Sequence, residues 1–201
     1  MTPRRRTGGF TLVEVLVAIS ILGVVAAISY TGLSRALDAQ QRINGERVFW
    51  KNLSLTFVRM EDDLAQACPR AIRDASGEYS PPFLALPFSG DGTLMEWTRR
   101  GVAPGSGRRC DLQRVAYAFQ NGVLNRLTWP QLDRAPSNRP VVAPVLDGID
   151  QIQVRFYDDA AQRVGYWPRS VQAKEALPRG VEITFTITGR GQIVRTFVVN
   201  G

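Results

Sequence analysis

An apolar segment near the amino terminus constrains this chain more than any other feature. Residues Phe10 to Tyr30 include 16 apolar residues among 21, and Glu14 is the only residue among them with a formal charge. As a helix, at about 1.5 Å per residue, the segment is about 30 Å long, which matches the hydrocarbon thickness of a bilayer. The sequence therefore predicts one membrane-spanning helix over residues 10–30.

The charges on either side of this segment predict its orientation. Arg4, Arg5 and Arg6 precede it, and no acidic residue does. Basic residues flanking a spanning helix favour the cytoplasmic side of the membrane. The rest of the chain, from residue 31 onwards, is therefore expected on the opposite side.

A secretory signal peptide cleaved near Ala27, Ile28 and Ser29 is the alternative interpretation of the same segment. Signal peptides have apolar cores of about 7–15 residues, shorter than this run. Such cores also avoid acidic residues, whereas this run contains Glu14. The sequence accordingly favours a helix that is retained in the mature protein.

The residues at the start of the run carry a specific motif, from Gly9 and Phe10 to Glu14. This motif resembles the class III signal of type IV pilins and of type II secretion pseudopilins. The resemblance implies that residues 1–9 are a leader, that a prepilin peptidase cuts between Gly9 and Phe10, and that Phe10 is then N-methylated. A glycine before the cut suits close approach of a peptidase to the backbone.

Glu14 requires an explanation of its own, because a carboxylate in a spanning helix is costly and marks a candidate functional site. Cleavage leaves a cationic amine on Phe10, about 6 Å from Glu14 along the helix axis. In a neighbouring subunit shifted along a fibre, such an amine can lie opposite the carboxylate, and pairing is then preferred to two lone charges. The resemblance implies the same role, an assembly contact between filament subunits.

Composition excludes several classes of function. The chain has no histidine, which removes serine–histidine and cysteine–histidine catalysis and the commonest ligand of transition metals. Loss of the leader lowers the net charge from +7 to +4, and the remaining arginines are interspersed with acids. We therefore expect a solvated surface rather than one that binds nucleic acid, and we predict no enzyme activity, no cofactor and no metal. A membrane-anchored periplasmic enzyme remains an alternative that no motif supports.

The two cysteines, Cys68 and Cys110, are too few and too far apart for a zinc site. In an oxidising periplasm they can form a disulfide. In the chain-entropy model, closing this loop stabilises the folded state by about 4 kcal/mol. Two unpaired thiols are the other possibility. The sequence leaves both open.

After Tyr30 the apolar run changes to an amphipathic pattern over residues 31–68. Apolar residues recur mostly at steps of three to five, as expected for a helix that is apolar on one side: Leu33, Leu37, Ile43, Val48, Phe49, Leu53, Phe57, Met60 and Leu64. This pattern predicts that the spanning helix continues to about Cys68, packed on a soluble domain in its second half, and that it bends or melts at Gly45. The resemblance implies the same lollipop shape.

Residues 69–201 are predicted to form the β-rich globular part. Thr93–Arg99 reads as a strand, and Asn121-Gly122 between two apolar segments is a strong hairpin signal. Residues 149–158 alternate, and residues 181–187 and 193–199 form a terminal hairpin. Four prolines indicate a long irregular connection between these pieces: Pro130, Pro136, Pro140 and Pro144. The predicted class is α+β, pilin-like, with the long helix on one or two antiparallel sheets.

Two further groups of residues have a structural and a functional interpretation. Asp147 and Asp150, and likewise Asp158 and Asp159, resemble no calcium loop in their spacing, so exposed turn residues are the preferred interpretation. The tryptophans at 97, 129 and 167 are expected in the core or at its rim rather than on a binding surface.

Five segments in order resemble the J-type minor pseudopilins of the type II secretion system. They are the leader motif, residues 59–64, residues 112–117, residues 125–133 and residues 177–182. The resemblance implies a place at the pseudopilus tip with the I-type and K-type minor pseudopilins, above the H-type and major pseudopilins, where the complex primes fibre assembly and aids export of folded proteins. K-type subunits lack the acid corresponding to Glu14. The alternative is a minor pilin of a type IV pilus or competence pseudopilus.

Overall fold

Helix α1 is the longest element and runs without interruption from Leu12 to Ala65. The computed structural model describes residues 9–74, 76–86, 89–101, 112–134, 138–170 and 176–200. The helix reaches to within three residues of its predicted end. It stays helical through Gly45, so the predicted melting there is wrong, because a single glycine lowers helix stability by only about 1 kcal/mol. A bend at Gly45 stays a prediction.

The chain divides into two compact units between Lys51 and Asn52. In the first unit the described part is helical from Leu12 onwards, and its apolar side chains are exposed except that of Phe49, which is half-buried. By length and composition, this helix is able to cross a membrane. The hydroxyls of Ser20, Thr31 and Ser34 each donate to the carbonyl four residues earlier, so these polar groups are already paired within the helix.

The second unit contains the rest of helix α1 and the described strands, all of which pair antiparallel. Their bounds are β1 Ile72–Arg73, β2 Tyr79–Ser80, β3 Phe83–Leu84, β4 Thr93–Arg100, β5 Leu112–Gln120, β6 Val123–Thr128, β7 Val141–Leu146, β8 Ile149–Tyr157, β9 Arg163–Val164, β10 Gly180–Ile187 and β11 Gly191–Val198. They form a five-stranded sheet in the order β3-β4-β5-β6-β7 and a four-stranded sheet in the order β11-β10-β8-β9. Strands β1 and β2 pair separately.

The predicted hairpins are confirmed. Strands β5 and β6 are joined by Asn121 and Gly122, both with positive φ, of 51° and 78°. Two successive positive φ angles define the type I′ turn, whose twist suits the strands that it joins. Strands β10 and β11 form the terminal hairpin, in which Val181 lies opposite Phe197.

Strand β7 corrects the prediction of a long irregular connection. The prolines at 140 and 144 indicated a loop, yet residues 141–146 pair with β6, and Pro144 lies opposite Asn125. A proline lacks the N–H that a central strand needs, but β7 is at the edge of its sheet, where one side is unpaired. The register shifts between Leu124 and Asn125, next to this proline.

The core of the second unit lies between helix α1 and the sheets. The helix buries one stripe of side chains there: Leu53, Thr56, Met60, Asp63 and Leu64. The earlier apolar positions Leu33, Leu37, Ile43 and Val48 are exposed, so the buried stripe begins twenty residues later than the pattern predicts. On the five-stranded sheet, Trp97 stacks on Phe83 at 5.5 Å and on Tyr117 at 5.8 Å between ring centroids. The predicted burial of tryptophans 97, 129 and 167 is confirmed.

Candidate functional site

The start of helix α1 is a capping box formed by Thr11 and Glu14. The backbone N–H and the hydroxyl of Thr11 donate to Oε2 of Glu14 at 3.1 and 3.0 Å. In return, the backbone N–H of Glu14 donates to Oγ1 of Thr11 at 3.3 Å. This reciprocal pair satisfies two backbone donors that a helix start otherwise leaves unpaired. The Thr-x-x-Glu spacing is the sequence signal that indicates this partner of Glu14.

The cap fixes where the helix begins relative to the predicted cleavage site. Gly9 and Phe10 lie before the first helical residue, Leu12, and both are exposed. No neighbouring heavy atom lies within 4 Å of a Cβ placed on Gly9. The Gly9–Phe10 bond therefore lies in accessible, non-helical backbone, the conformation that a peptidase requires. Oε1 of Glu14 accepts no hydrogen bond from the described residues, so the cap leaves one carboxylate oxygen for another partner.

Near the other end of the helix, a buried carboxylate organises a second polar cluster. Asp63 is 1% exposed. Its Oδ2 lies 2.6 Å from Nε of Arg126 and its Oδ1 lies 2.8 Å from Nη2 of the same guanidinium. Nη1 of Arg99 lies 2.9 Å from Oδ1, and the hydroxyl of Tyr117 donates to Oδ2 at 2.9 Å. The indole of Trp97 donates to the backbone carbonyl of Asp63 at 2.9 Å.

Burial changes the pKa values of the groups around Asp63. Burial and the adjacent charge of Asp63 raise the pKa of Tyr117 far above its usual value, so its hydroxyl remains a donor. Burial alone would lower the pKa of Arg126, but its hydrogen bonds with Asp63 and the charge of that residue raise it instead. One carboxylate thus joins helix α1 to strands β4, β5 and β6, which fixes the face that the helix turns to the sheet.

This cluster is not among the sites predicted from the sequence, although Asp63 and Arg126 both lie in segments that resemble the J-type pseudopilins. The available signal was the position of Asp63 in the stripe of helix residues that is otherwise apolar. A carboxylate at such a position needs a buried cation as partner, because an unpaired buried charge is prohibitive. The periodicity alone does not say which arginine supplies it.

The opposite face of the five-stranded sheet has its own buried arginine. Arg114 is fully buried and donates from Nε to Glu96 at 2.7 Å. Its Nη1 donates to the carbonyl of Pro82 and to the hydroxyl of Thr98, each at 3.0 Å. Burial lowers the pKa of Arg114, and the charge of Glu96 opposes this effect. These contacts hold strand β3 on its neighbours, which is a structural role.

Cys68 is buried, with 4% of its surface exposed, and burial raises the pKa of its thiol. The group is therefore a protonated thiol of low reactivity. It has no disulfide partner among the described residues, and Cys110 lies outside them. The disulfide between the two stays a prediction.

The acidic pairs considered for calcium lie in different settings. Asp158 is buried, contrary to the prediction of an exposed turn residue, because it pairs with Arg169 and accepts the backbone N–H of Gln162. Asp159 is exposed and pairs with Arg179 at 2.8 Å. Within the described residues, no group of three or more potential metal ligands occurs.

Comparison with known proteins identifies similarity over nearly the whole chain. The family model described as type II secretion system, protein J, matches residues 31–199. The model of the prokaryotic N-terminal methylation motif matches residues 4–30. Type II secretion system protein J of Klebsiella pneumoniae is 32% identical over 197 residues, covering 97% of this chain and 96% of that protein. The Escherichia coli protein of the same name is 30% identical, covering 98% of each chain.

A solved structure shares the fold. A chain in the crystal structure of the GspK–GspI–GspJ complex from the type 2 secretion system of enterotoxigenic Escherichia coli aligns with a TM-score of 0.64. It is 28% identical in sequence, and the alignment covers 76% of this chain and 97% of that one. The α+β class and pilin-like architecture expected from the sequence are thereby confirmed.

Proposed function

This chain belongs to the family of type II secretion system protein J, and from that premise we propose how it works in the secretion system. It is a minor pseudopilin. The observation that carries the proposal is the family match over residues 31–199, which favours the secretion system over a type IV pilus. In our proposal the chain joins I-type and K-type minor pseudopilins in a pseudopilus tip complex. This complex primes fibre assembly and aids export of folded proteins across the outer membrane.

Maturation in this proposal begins with removal of residues 1–9. A prepilin peptidase cuts between Gly9 and Phe10 and methylates the new terminus. The match of residues 4–30 to the N-terminal methylation motif supports this step, as does the exposed position of both residues before the helix.

The membrane topology follows from the charges and the apolar run. Residues 10–30 span the inner membrane once, with the arginine-rich terminus in the cytoplasm. Residues 31–68 continue the helix, and residues 69–201 form the β-rich part in the periplasm. After assembly the subunit stands at the pseudopilus tip, with the H-type and major pseudopilins below it.

Glu14 has two roles in this proposal. Its Oε2 caps the helix through Thr11, and the other oxygen accepts the amine of a neighbouring subunit. In an apolar surrounding an amine and a carboxylate are much better paired than separate, which favours docking of the neighbour at one height along the fibre.

Co-purification from membranes tests the proposed function. The full chain, expressed with the I-type and K-type pseudopilins of the same organism, is expected to bring both down in one complex. Deletion of the chain's gene should abolish export of the folded proteins that the system secretes. Absence of the complex, or normal export without this subunit, contradicts the proposal. Loss of twitching or DNA uptake with normal export would instead indicate a type IV pilus or competence subunit.

A further inference from the structure

A groove with a volume of about 430 Å³ lies between the two larger sheets of the second unit. Residues 152–156 of strand β8 form one wall. The start of β4 and the end of β5 form the other wall, where Leu94 and Phe119 line the groove. The groove therefore brings one edge of the four-stranded sheet close to apolar side chains of the five-stranded sheet.

Strand β8 is paired along its whole length on one side only. Strand β10 pairs with it over residues 149–157. On the other side, β9 pairs only with Phe156 and Tyr157. After β9 the chain leaves this edge, and Trp167 exchanges two backbone hydrogen bonds with Ala85, each at 2.8 Å, next to strand β3. Among the described residues, no strand continues β9 along the rest of β8.

The unpaired edge presents backbone groups of Ile152 and Val154. In an antiparallel strand the N–H and C=O of one residue point to the same side, and successive residues point to opposite sides. The N–H of Asp158 donates to the carbonyl of Gln162 at 3.2 Å, on the side of β9. By this alternation the N–H and C=O of Val154 and of Ile152 also point to that side, where no described residue pairs with them. The edge thus offers two donors and two acceptors to a further strand.

The inner face beside this edge is incompletely covered. Val154 lies directly opposite Ile183, which is fully buried, so both side chains point into the fold. Val154 is nonetheless only half-buried, and so are Leu94 and Phe119 across the groove. Apolar side chains of an added strand would therefore remove apolar surface from water here, which favours binding.

The outer face beside the edge carries an arginine without an acidic partner. Arg155 is exposed and forms no ion pair with the described residues. The acid opposite it on β10, Glu182, already pairs with Arg163 at 2.6 Å. On an added strand, the residue opposite Arg155 would share its face of the sheet. A carboxylate suits this position, because it is the group that pairs best with a guanidinium.

A second copy of this chain does not supply such a strand. The other edge strands of the two larger sheets are β3, β7, β9 and β11, and none of them contains an acidic residue. Strands β9 and β11 contain Arg163 and Arg195 instead. Two β8 edges in antiparallel pairing centred on Gln153 would place Gln151 opposite Arg155. Charge complementarity therefore favours a different protein as the source.

We propose that this edge of β8 binds an extended segment of another protein, in which apolar residues alternate with acidic residues. The segment adds a strand to β8 through the backbone groups of Ile152 and Val154. Its apolar side chains lie in the groove, and one of its carboxylates pairs with Arg155 on the outer face. Such a site goes beyond the proposed function and does not depend on it.

Amide hydrogen exchange of the full chain in detergent micelles tests whether the edge is free. The N–H of Val154 is expected to exchange at least about tenfold faster than that of Arg155, which points to β10 and is paired there. The two residues are neighbours in one strand, so each is the control for the other. Equal protection of the two amides would show that the edge is already covered, which overturns the proposal.

A nine-residue peptide of alternating valine and glutamate tests the binding. We expect it to slow exchange at Val154, and to bind with a Kd at least about tenfold lower than a peptide with lysine in place of each glutamate. Methylation of the valine nitrogens, which face β8, should weaken binding at least about tenfold. Methylation of the glutamate nitrogens, which face away, should not. Equal binding of the acidic and basic peptides, or of the two methylated peptides, overturns the proposal.

Two variants of the full chain locate the contact. Arg155→Glu is expected to weaken binding of the acidic peptide about tenfold, because it replaces an attraction by a repulsion. Arg70→Glu makes the same change at an exposed arginine outside the groove and should have no effect. Val154→Pro removes the N–H that faces the edge and should also weaken binding about tenfold. If this variant does not fold, the methylated peptides make the same test. Unchanged binding to Arg155→Glu, or binding of none of the peptides, overturns the proposal and leaves the proposed function standing.

Discussion

Asp63 and Arg126 form a two-point ion pair between helix α1 and strand β6, with 2.6 Å from Nε to Oδ2 and 2.8 Å from Nη2 to Oδ1. The two residues are 63 positions apart in the chain, and each is less than 10% exposed. A planar guanidinium facing a carboxylate at two points fixes direction as well as distance. This pair therefore determines how the helix lies on the sheet more narrowly than apolar contacts do.

We expect residues 35–201 to form a folded, soluble fragment. The buried side chains begin at Leu53, so removal of the spanning segment takes nothing from the core. Circular dichroism should show helix and sheet, and thermal unfolding should be cooperative. A non-cooperative melt in a sample free of aggregates would show that the membrane segment is needed for folding.

In this fragment, Asp63→Asn should reduce the free energy of unfolding by about 3–5 kcal/mol. The change leaves the charges of Arg126 and Arg99 buried without their shared partner. The matched control is Asp62→Asn, at a side chain that is 57% exposed, with an expected loss below about 1 kcal/mol. Urea titration measures both; equal losses would contradict the central role of Asp63.

Stability should depend on Tyr117 at alkaline pH. Its pKa is raised in the folded protein, by burial and by the charge of Asp63, whereas in the unfolded chain it is about 10. The contribution of Tyr117 to the free energy of unfolding is therefore fully present below pH ~10. It is lost as the pH rises above that value, by about 1.4 kcal/mol per pH unit. Tyr117→Phe should remove this loss of stability at alkaline pH in the 35–201 fragment. Urea titrations at successive pH values measure it. The exposed Tyr166→Phe should retain it.

Glu14→Gln should weaken incorporation into the tip complex while sparing processing and folding. Glutamine preserves the capping box, so the helix start is unchanged and only the charge is lost. Thr11→Val is the matched variant, because it removes the cap and retains the carboxylate. Crosslinking of full-length subunits in membranes and a secretion assay measure the effect. A defect in Thr11→Val alone would mean that Glu14 acts as a cap and not as an ion-pair partner.

The mature protein should begin with N-methylated Phe10. Mass spectrometry of protein from membranes of a strain with the peptidase measures the terminus. Gly9→Leu should leave the leader attached, because a side chain obstructs close approach to the backbone, whereas Gly8→Leu should still be cut. A mature terminus near Tyr30 would identify an ordinary signal peptide.

The parts of the fold that sequence predicts are those set by local patterns. The apolar run and the three-to-four spacing predict helix α1, and Asn121-Gly122 predicts the β5–β6 hairpin, because neighbouring residues determine each. Strand β7 was missed because its prolines indicate a loop unless the strand is known to be at an edge. The cluster at Asp63 was missed for another reason: its members come from four elements, and only the folded chain brings them together.

The hydroxyl of Ser20 donates to the carbonyl of Leu16 within the spanning segment. A polar atom paired inside its own helix exposes no free donor, whether lipid tails or the helices of other subunits surround it. In the proposed assembly this hydroxyl keeps its partner when the segment leaves the bilayer for the fibre, because both surroundings are apolar. Ser20 therefore adds no cost of its own to that transfer.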